Sequence, residues 1–145
     1  MEFKQYIPQD LEKCTTTFID VFNAAPWHDE WTADNATRYL MDFTNTPGFF
    51  GLVAWEQEQL TGFIFGVRRA WWSGDEFFIH EMCVTPNQQH SGIGSALLNA
   101  LIQALQPFAI QNITLLTDRG IPAEAFYKKN GFQEIERLMF LSKDI

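Results

Sequence analysis

The chain is short of the residues that mark several large classes of protein. It has two cysteines, Cys14 and Cys83, too few for a disulfide framework and without a C-x-x-C pair. A reducing cytoplasm is the expected setting. Three scattered histidines give no metal-ligand spacing, so no metal site is expected. Ten lysines and arginines stand against eighteen acidic residues, for a formal charge of −8. Nucleic acid, which demands a basic stripe, is therefore excluded as a partner. No apolar run approaches the ~20 residues of a membrane span, and the opening MEFKQYIPQD is too polar for a signal peptide. Repeats, low-complexity tracts and linkers are also missing, which leaves one domain over residues 1–145.

What is present is the material of a folded core. Hydrophobic residues make up 46% of the chain, and phenylalanine alone occurs fourteen times. Residues 3–7 alternate as a first strand, ended by Pro8. Residues 10–25 carry Leu11, Cys14, Phe18, Val21 and Phe22 at helical spacing, and Pro26 closes that helix. A second helix opens near Thr32 as N-cap and stops at Pro47-Gly48. Residues 49–55 and 60–69 read as a hairpin, where Gly62 and Gly66 suggest a bulge or a close backbone approach. Residues 113–116 suit a short buried strand, 122–129 a helix stopped by Asn130-Gly131, and 132–142 one or two last strands. The order β-α-α-β-β-β-α-β-α-β describes a mixed α/β domain of the α+β type.

The organising stretch is FFIHEMCVTPNQQHSGIGSALLNALIQAL, residues 77–105. An apolar strand breaks at Thr85-Pro86-Asn87, and a helix opens after Gly92 and Gly94. Leu97, Leu101 and Leu105 recur every four residues beside Leu98 and Ile102, painting one apolar face. The first amides of a helix lack intrahelical partners, and its dipole adds partial positive charge there. Glycines at that junction leave room for an anion, most naturally a phosphate or pyrophosphate. There is no Gly-Lys-Ser/Thr of a P-loop, and the third glycine of a dinucleotide fingerprint is missing.

On Val84, Pro86, Gln89, Gly92 and Gly94, and on Phe-Tyr-Lys-Lys-Asn-Gly-Phe at 126–132, the chain resembles the GNAT superfamily of acyl-CoA-dependent N-acyltransferases. The N-terminal region, with PWHDEWT before a helix, looks similar to aminoglycoside-acetyltransferase-like members. The resemblance implies a single GNAT-like domain with a mixed sheet of about six to seven strands and about four helices. It implies coenzyme A, as acetyl-CoA, as co-substrate. The main chain of Met82, Cys83 and Val84 would pair with the pantetheine arm. Gln89, His90, Ser91, Gly92, Ile93, Gly94 and Ser95 would hold the pyrophosphate, aided by Arg119, Lys128 and Lys129. Many members carry Asn seven residues before the tyrosine; here that position is Gly120, with Asp118 or Arg119 to compensate.

Amide formation from a thioester needs a base for the acceptor ammonium and an acid for the leaving thiolate. The resemblance puts Tyr127 near the sulfur as the acid; its other reading is a core tyrosine with a satisfied hydroxyl. For the base there are two neighbours, His80 and Glu81. Alternation lets only one of them reach the acceptor, and the resemblance favours His80, which stands four residues before Val84 where several family members put a catalytic His or Asp. A bulge in the strand would re-aim Glu81. The acceptor pocket implied by the family draws on Trp27, His28, Asp29, Glu30, Trp31, Trp71 and Trp72, aromatic faces and carboxylates that suit a cation. A hydrophobic rim or a homodimer contact reads those tryptophans equally well. The expected function is transfer of an acetyl group to a small amine. The alternatives are a non-catalytic acyl-CoA sensor and a protein lysine or N-terminal acetyltransferase.

Overall fold

The computed structural model describes all of residues 1–145. Five strands form one sheet in sequence order: β1 (Glu2–Gln5), β2 (Phe49–Glu56), β3 (Gln59–Arg69), β4 (Asp75–Val84) and β5 (Ile110–Leu115). β1 to β4 run antiparallel, and β5 lies parallel to β4. The four helices are α1 (Leu11–Phe22), α2 (Ala33–Thr44), α3 (Ile93–Ala104) and α4 (Pro122–Lys129). Asp10 accepts from the Ile7 amide at 3.0 Å and so ties the approach to α1. Thr32 caps α2 by accepting from the Asn35 amide, as its position before the helix predicts.

Each face of the sheet carries its own core. Cys14 and Phe18 of α1, Ala36 and Leu40 of α2, and Phe63 and Phe65 of β3 pack on one side. Leu97, Leu98 and Leu101 of α3 pack on the other, against Ile64, Phe77 and Ile79. The leucine face read from 3.6-residue periodicity is therefore the buried one.

The sheet is smaller than the expected six to seven strands. Residues 132–142 form no strand and make no ladder with either edge of the sheet. The chain instead turns at residues 135–138, where the Leu138 amide donates to the Ile135 carbonyl at 3.1 Å, and stays exposed to its end. Smaller shifts occur at the ends of elements. β1 stops at Gln5, α1 stops at Phe22, and β5 starts at Ile110 rather than 113.

Candidate active site

β4 and β5 part company halfway. Their ladder runs from Asp75↔Ile110 to Ile79↔Leu115 and then ends. β3 continues along β4 to Val84, so residues 80–84 of β4 keep one edge free, facing an opening wedge. That edge includes the main chain of Met82, Cys83 and Val84. Past it, the Val84 carbonyl accepts from the Gln89 side-chain amide at 3.1 Å, which anchors the following loop to the strand. Ser91 Oγ donates to the Gln88 carbonyl within the same loop.

The loop then delivers a row of open donors. His90 takes φ +64 and Gly92 takes φ +86, the left-handed region that favours glycine. Gly92 serves as N-cap of α3, and a Cβ built on it would meet nothing within 4 Å. None of the amides of residues 90–95 has a backbone partner. Gly94 has a different reason to be glycine: a Cβ there would sit 3.0 Å from the Phe126 ring of α4. The expected cations lie close to carboxylates of their own. Arg119 is ion-paired with Glu134, and Lys128 with Glu124 at 2.6 Å. Gly120, where the resemblance leads one to expect Asn, adopts φ +77 and donates its amide to Glu124 at 2.7 Å.

The question of His80 against Glu81 has a geometric answer. Phe65 pairs with Glu81 while the next residue, Gly66, pairs with Ile79, so His80 is an extra residue bulging from β4. Alternation is broken there, and both side chains reach the α2 side of the sheet. The His80 ring stacks on Phe43 with centroids 4.5 Å apart and planes at 17°. Glu81 accepts from the Tyr39 hydroxyl. Ile79 and Met82, on either side of the pair, pack towards α3. The strict-alternation expectation that only one of the two could face the acceptor side is thus corrected by the bulge. Gly66 opposite it can have no side chain, because a Cβ would run into the Phe77 ring.

Burial dominates the electrostatics of this pocket. Glu81 is pushed up to about 7 by burial, with the nearby Asp29 carboxylate adding to the rise and the Tyr39 hydrogen bond opposing it. Burial lowers His80, helped by the charge of Arg69. Burial also raises the Tyr127 hydroxyl, followed by the neighbouring Glu81 and Cys83, so Tyr127 keeps its proton at neutral pH. Its ring contacts Phe126 and Phe132 edge-on at 5.2 and 5.4 Å.

The expected acceptor residues divide. Trp31 stacks near Tyr39 at 5.0 Å, and its indole Nε1 donates to Asp29 at 3.0 Å. Asn23 holds the Trp31 main chain from both sides. Trp27 leans on Phe22 at 4.8 Å, and Glu30 is exposed beside it. Trp71 and Trp72 stand at the β3–β4 turn, 55% and 88% exposed, and neither ring pairs with the aromatic group around Trp31. Sequence reading missed Tyr39. Helical spacing alone marks it as one more residue on the apolar face of α2, a place that phenylalanine would fill as well. A separate cavity of about 540 Å³ lies between α1 and residues 85–88 and contains none of these side chains.

The profile of the family described as Acetyltransferase (GNAT) family matches residues 9–132. No curated protein matches the chain. Solved structures do. An aminoglycoside acetyltransferase from an uncultured soil metagenomic sample is 22% identical, with TM-score 0.74, covering 99% of this chain and 96% of its own. The aminoglycoside antibiotic 6′-N-acetyltransferase AAC(6′)-IG of Acinetobacter haemolyticus is 17% identical, with TM-score 0.77, covering 100% and 99%. A transcriptional regulator from Bacillus halodurans C-125 is 18% identical, with TM-score 0.78, covering 99% of each chain. At these identities the structures establish a shared fold.

Proposed function

The chain belongs to the acetyltransferase (GNAT) family, and from that premise we propose that it moves an acetyl group from acetyl-CoA to a primary amine of a small cationic acceptor. Both substrates are held together, and the amine attacks directly. The observation that carries this reading is the bulge at His80, which turns two proton acceptors towards the pocket of Trp31, Tyr39 and Asp29. Acetyl-CoA supplies the activated acyl group as a thioester, and the free amides of residues 90–95 suit its pyrophosphate. The unpaired edge of Met82, Cys83 and Val84 suits its pantetheine amides. Arg119 and Lys128 contribute at the rim, each already sharing its charge with a carboxylate.

An alkyl ammonium with pKa near ~10.4 must lose a proton before it can attack. Glu81, ionising at about 7, takes that proton directly or through a water. Asp29, Glu30 and the faces of Trp27 and Trp31 draw the cation in. His80 is the second candidate base, because the bulge leaves it on the same face. Tyr127, held protonated, returns a proton to the departing thiolate. The setting is cytoplasmic, and the working unit is a homodimer.

Free-thiol release, followed with acetyl-CoA and a panel of amines headed by aminoglycosides, tests the reading. Release should require an amine and should rise with pH through an ionisation near 7 that disappears in Glu81→Gln. Loss of the inflection in His80→Gln instead would move the base one residue back. A protein that binds coenzyme A but releases no thiol with any amine would be the acyl-CoA sensor, and the proposal would fail.

A further inference from the structure

The cavity of about 540 Å³ takes no part in the site described above, yet its size fits a small molecule. It lies between α1, the β2–β3 turn and residues 85–88, and Leu60 is its one apolar wall. Glu12, Thr16 and Asp20 follow one another every four residues along α1, so they line it as a single stripe. The turn adds Glu58. None of these three carboxylates is ion-paired. The one cation of the lining, Lys13, is already engaged. Its ammonium lies over the Trp55 ring at 5.1 Å and donates to the Glu58 carbonyl at 3.4 Å.

Two hydroxyls in the same walls lack partners. Thr17 is 5% exposed and makes no side-chain hydrogen bond, whereas Thr15 and Thr16 beside it bond back to carbonyls of α1. Thr85 Oγ1, on the side of residues 85–88, is buried and also unpartnered. Buried hydroxyls are seldom left so, and each can accept from an N–H donor.

We propose that this cavity binds a linear aliphatic polyamine, with its end ammonium groups on Glu12 and Asp20 and its N–H groups on the hydroxyls of Thr17 and Thr85. Eight residues of helix separate the two carboxylates, about 12 Å along the axis. A single ion cannot serve both, and no three His, Cys, Asp or Glu side chains stand close enough to hold a metal. A chain of methylenes with an ammonium at each end spans them. The site stands apart from the proposed acetyl transfer, for none of its residues belongs to the pocket of Trp31, Tyr39 and Glu81.

Calorimetry with spermidine, a linear triamine, tests this on the full chain without acetyl-CoA. Spermidine should bind, and ethylenediamine, too short to span the stripe, should bind more weakly or not at all. Glu12→Gln combined with Asp20→Asn should cut spermidine affinity about tenfold, the effect of two partly exposed charge pairs. Both positions are exposed, so the fold persists, which circular dichroism checks. Asp42→Asn combined with Asp144→Asn removes the same charge elsewhere and should leave the affinity unchanged. Thr17→Val keeps the shape, removes one hydroxyl, and should weaken binding roughly fivefold. No binding, an equal loss in the Asp42 and Asp144 pair, or full affinity in Thr17→Val overturns the proposal. So does magnesium binding as tightly as spermidine. A loss in Asp29→Asn in place of the α1 pair would put spermidine in the acceptor pocket, with the same consequence.

Discussion

On the side of α1 and α2, the sheet buries Phe18, Phe63 and Phe65 and half-buries Trp27, Trp31, Tyr39 and Phe49. On the side of α3, it buries Leu97, Leu98, Leu101, Leu105, Ile79 and Phe77 and half-buries Phe3, Phe50 and Phe132, with no tyrosine or tryptophan among them. Aliphatic side chains can only fill space. Tyrosine and tryptophan fill it and also carry a hydroxyl or an N–H at their tips. Glu81 can therefore sit deep on the aromatic side, where Tyr39 reaches it, and has no equivalent under α3. One face is a sealed support, and the other tolerates charge at its centre.

The difference is tested most strongly at Tyr127. Tyr127→Phe keeps the ring and removes the hydroxyl, so turnover should fall roughly 10²–10⁴-fold with little loss of stability. Rates within a few-fold of the native enzyme, measured where chemistry limits turnover, would remove Tyr127 from the mechanism. On the sealed face, Leu101→Ala should act the opposite way. It should cost about 2–5 kcal/mol of folding free energy in a chemical melt while leaving the KM for the amine unchanged. A change in KM without a loss of stability would show that the two faces are not separate in this sense.

Glu81 sharpens the comparison through pH. Its folded pKa lies above the unfolded value, so the folded state binds the extra proton. Stability should fall as pH rises from about 4.5 through about 7. Glu81→Gln should abolish that fall and gain up to ~3 kcal/mol at pH 8, with no gain at pH 4. Thermal melts at the two pH values decide it; equal effects at both would mean that Glu81 is not desolvated. The smallest effect is expected from Tyr39→Phe, which should cost about 1 kcal/mol. It should also move the ionisation of Glu81 upward, because the lost hydrogen bond favoured the carboxylate. A downward shift in the pH–rate profile would contradict the contact.

Much of this was readable in the residues. Pro122 and Asn130-Gly131 bracket α4 because proline opens a helix and glycine takes the left-handed backbone that ends one. The leucine spacing of α3 pointed to its buried face. The bulge was only half visible. Gly66 suggested an irregularity in β3, but the extra residue sits opposite, in β4, and only pairing between strands can show that. Tyr39 was invisible for a similar reason, since its partner lies 42 residues away. The run at residues 138–141 announced a strand, and nothing local could say that no edge of its own chain would receive it.

The contact between Gly94 and Phe126 has one more consequence. It brings the first turn of α3 against α4, at the residue next to Tyr127. The open amides at one end of the wedge and the phenol at the other thus belong to two helices that cannot move closer without driving a ring into a backbone. The contact sets a lower limit on their separation. On the proposed function, a thioester carrier would be selected by the reach of its arm, since one a few atoms shorter would seat its phosphates and leave its sulfur short of the hydroxyl.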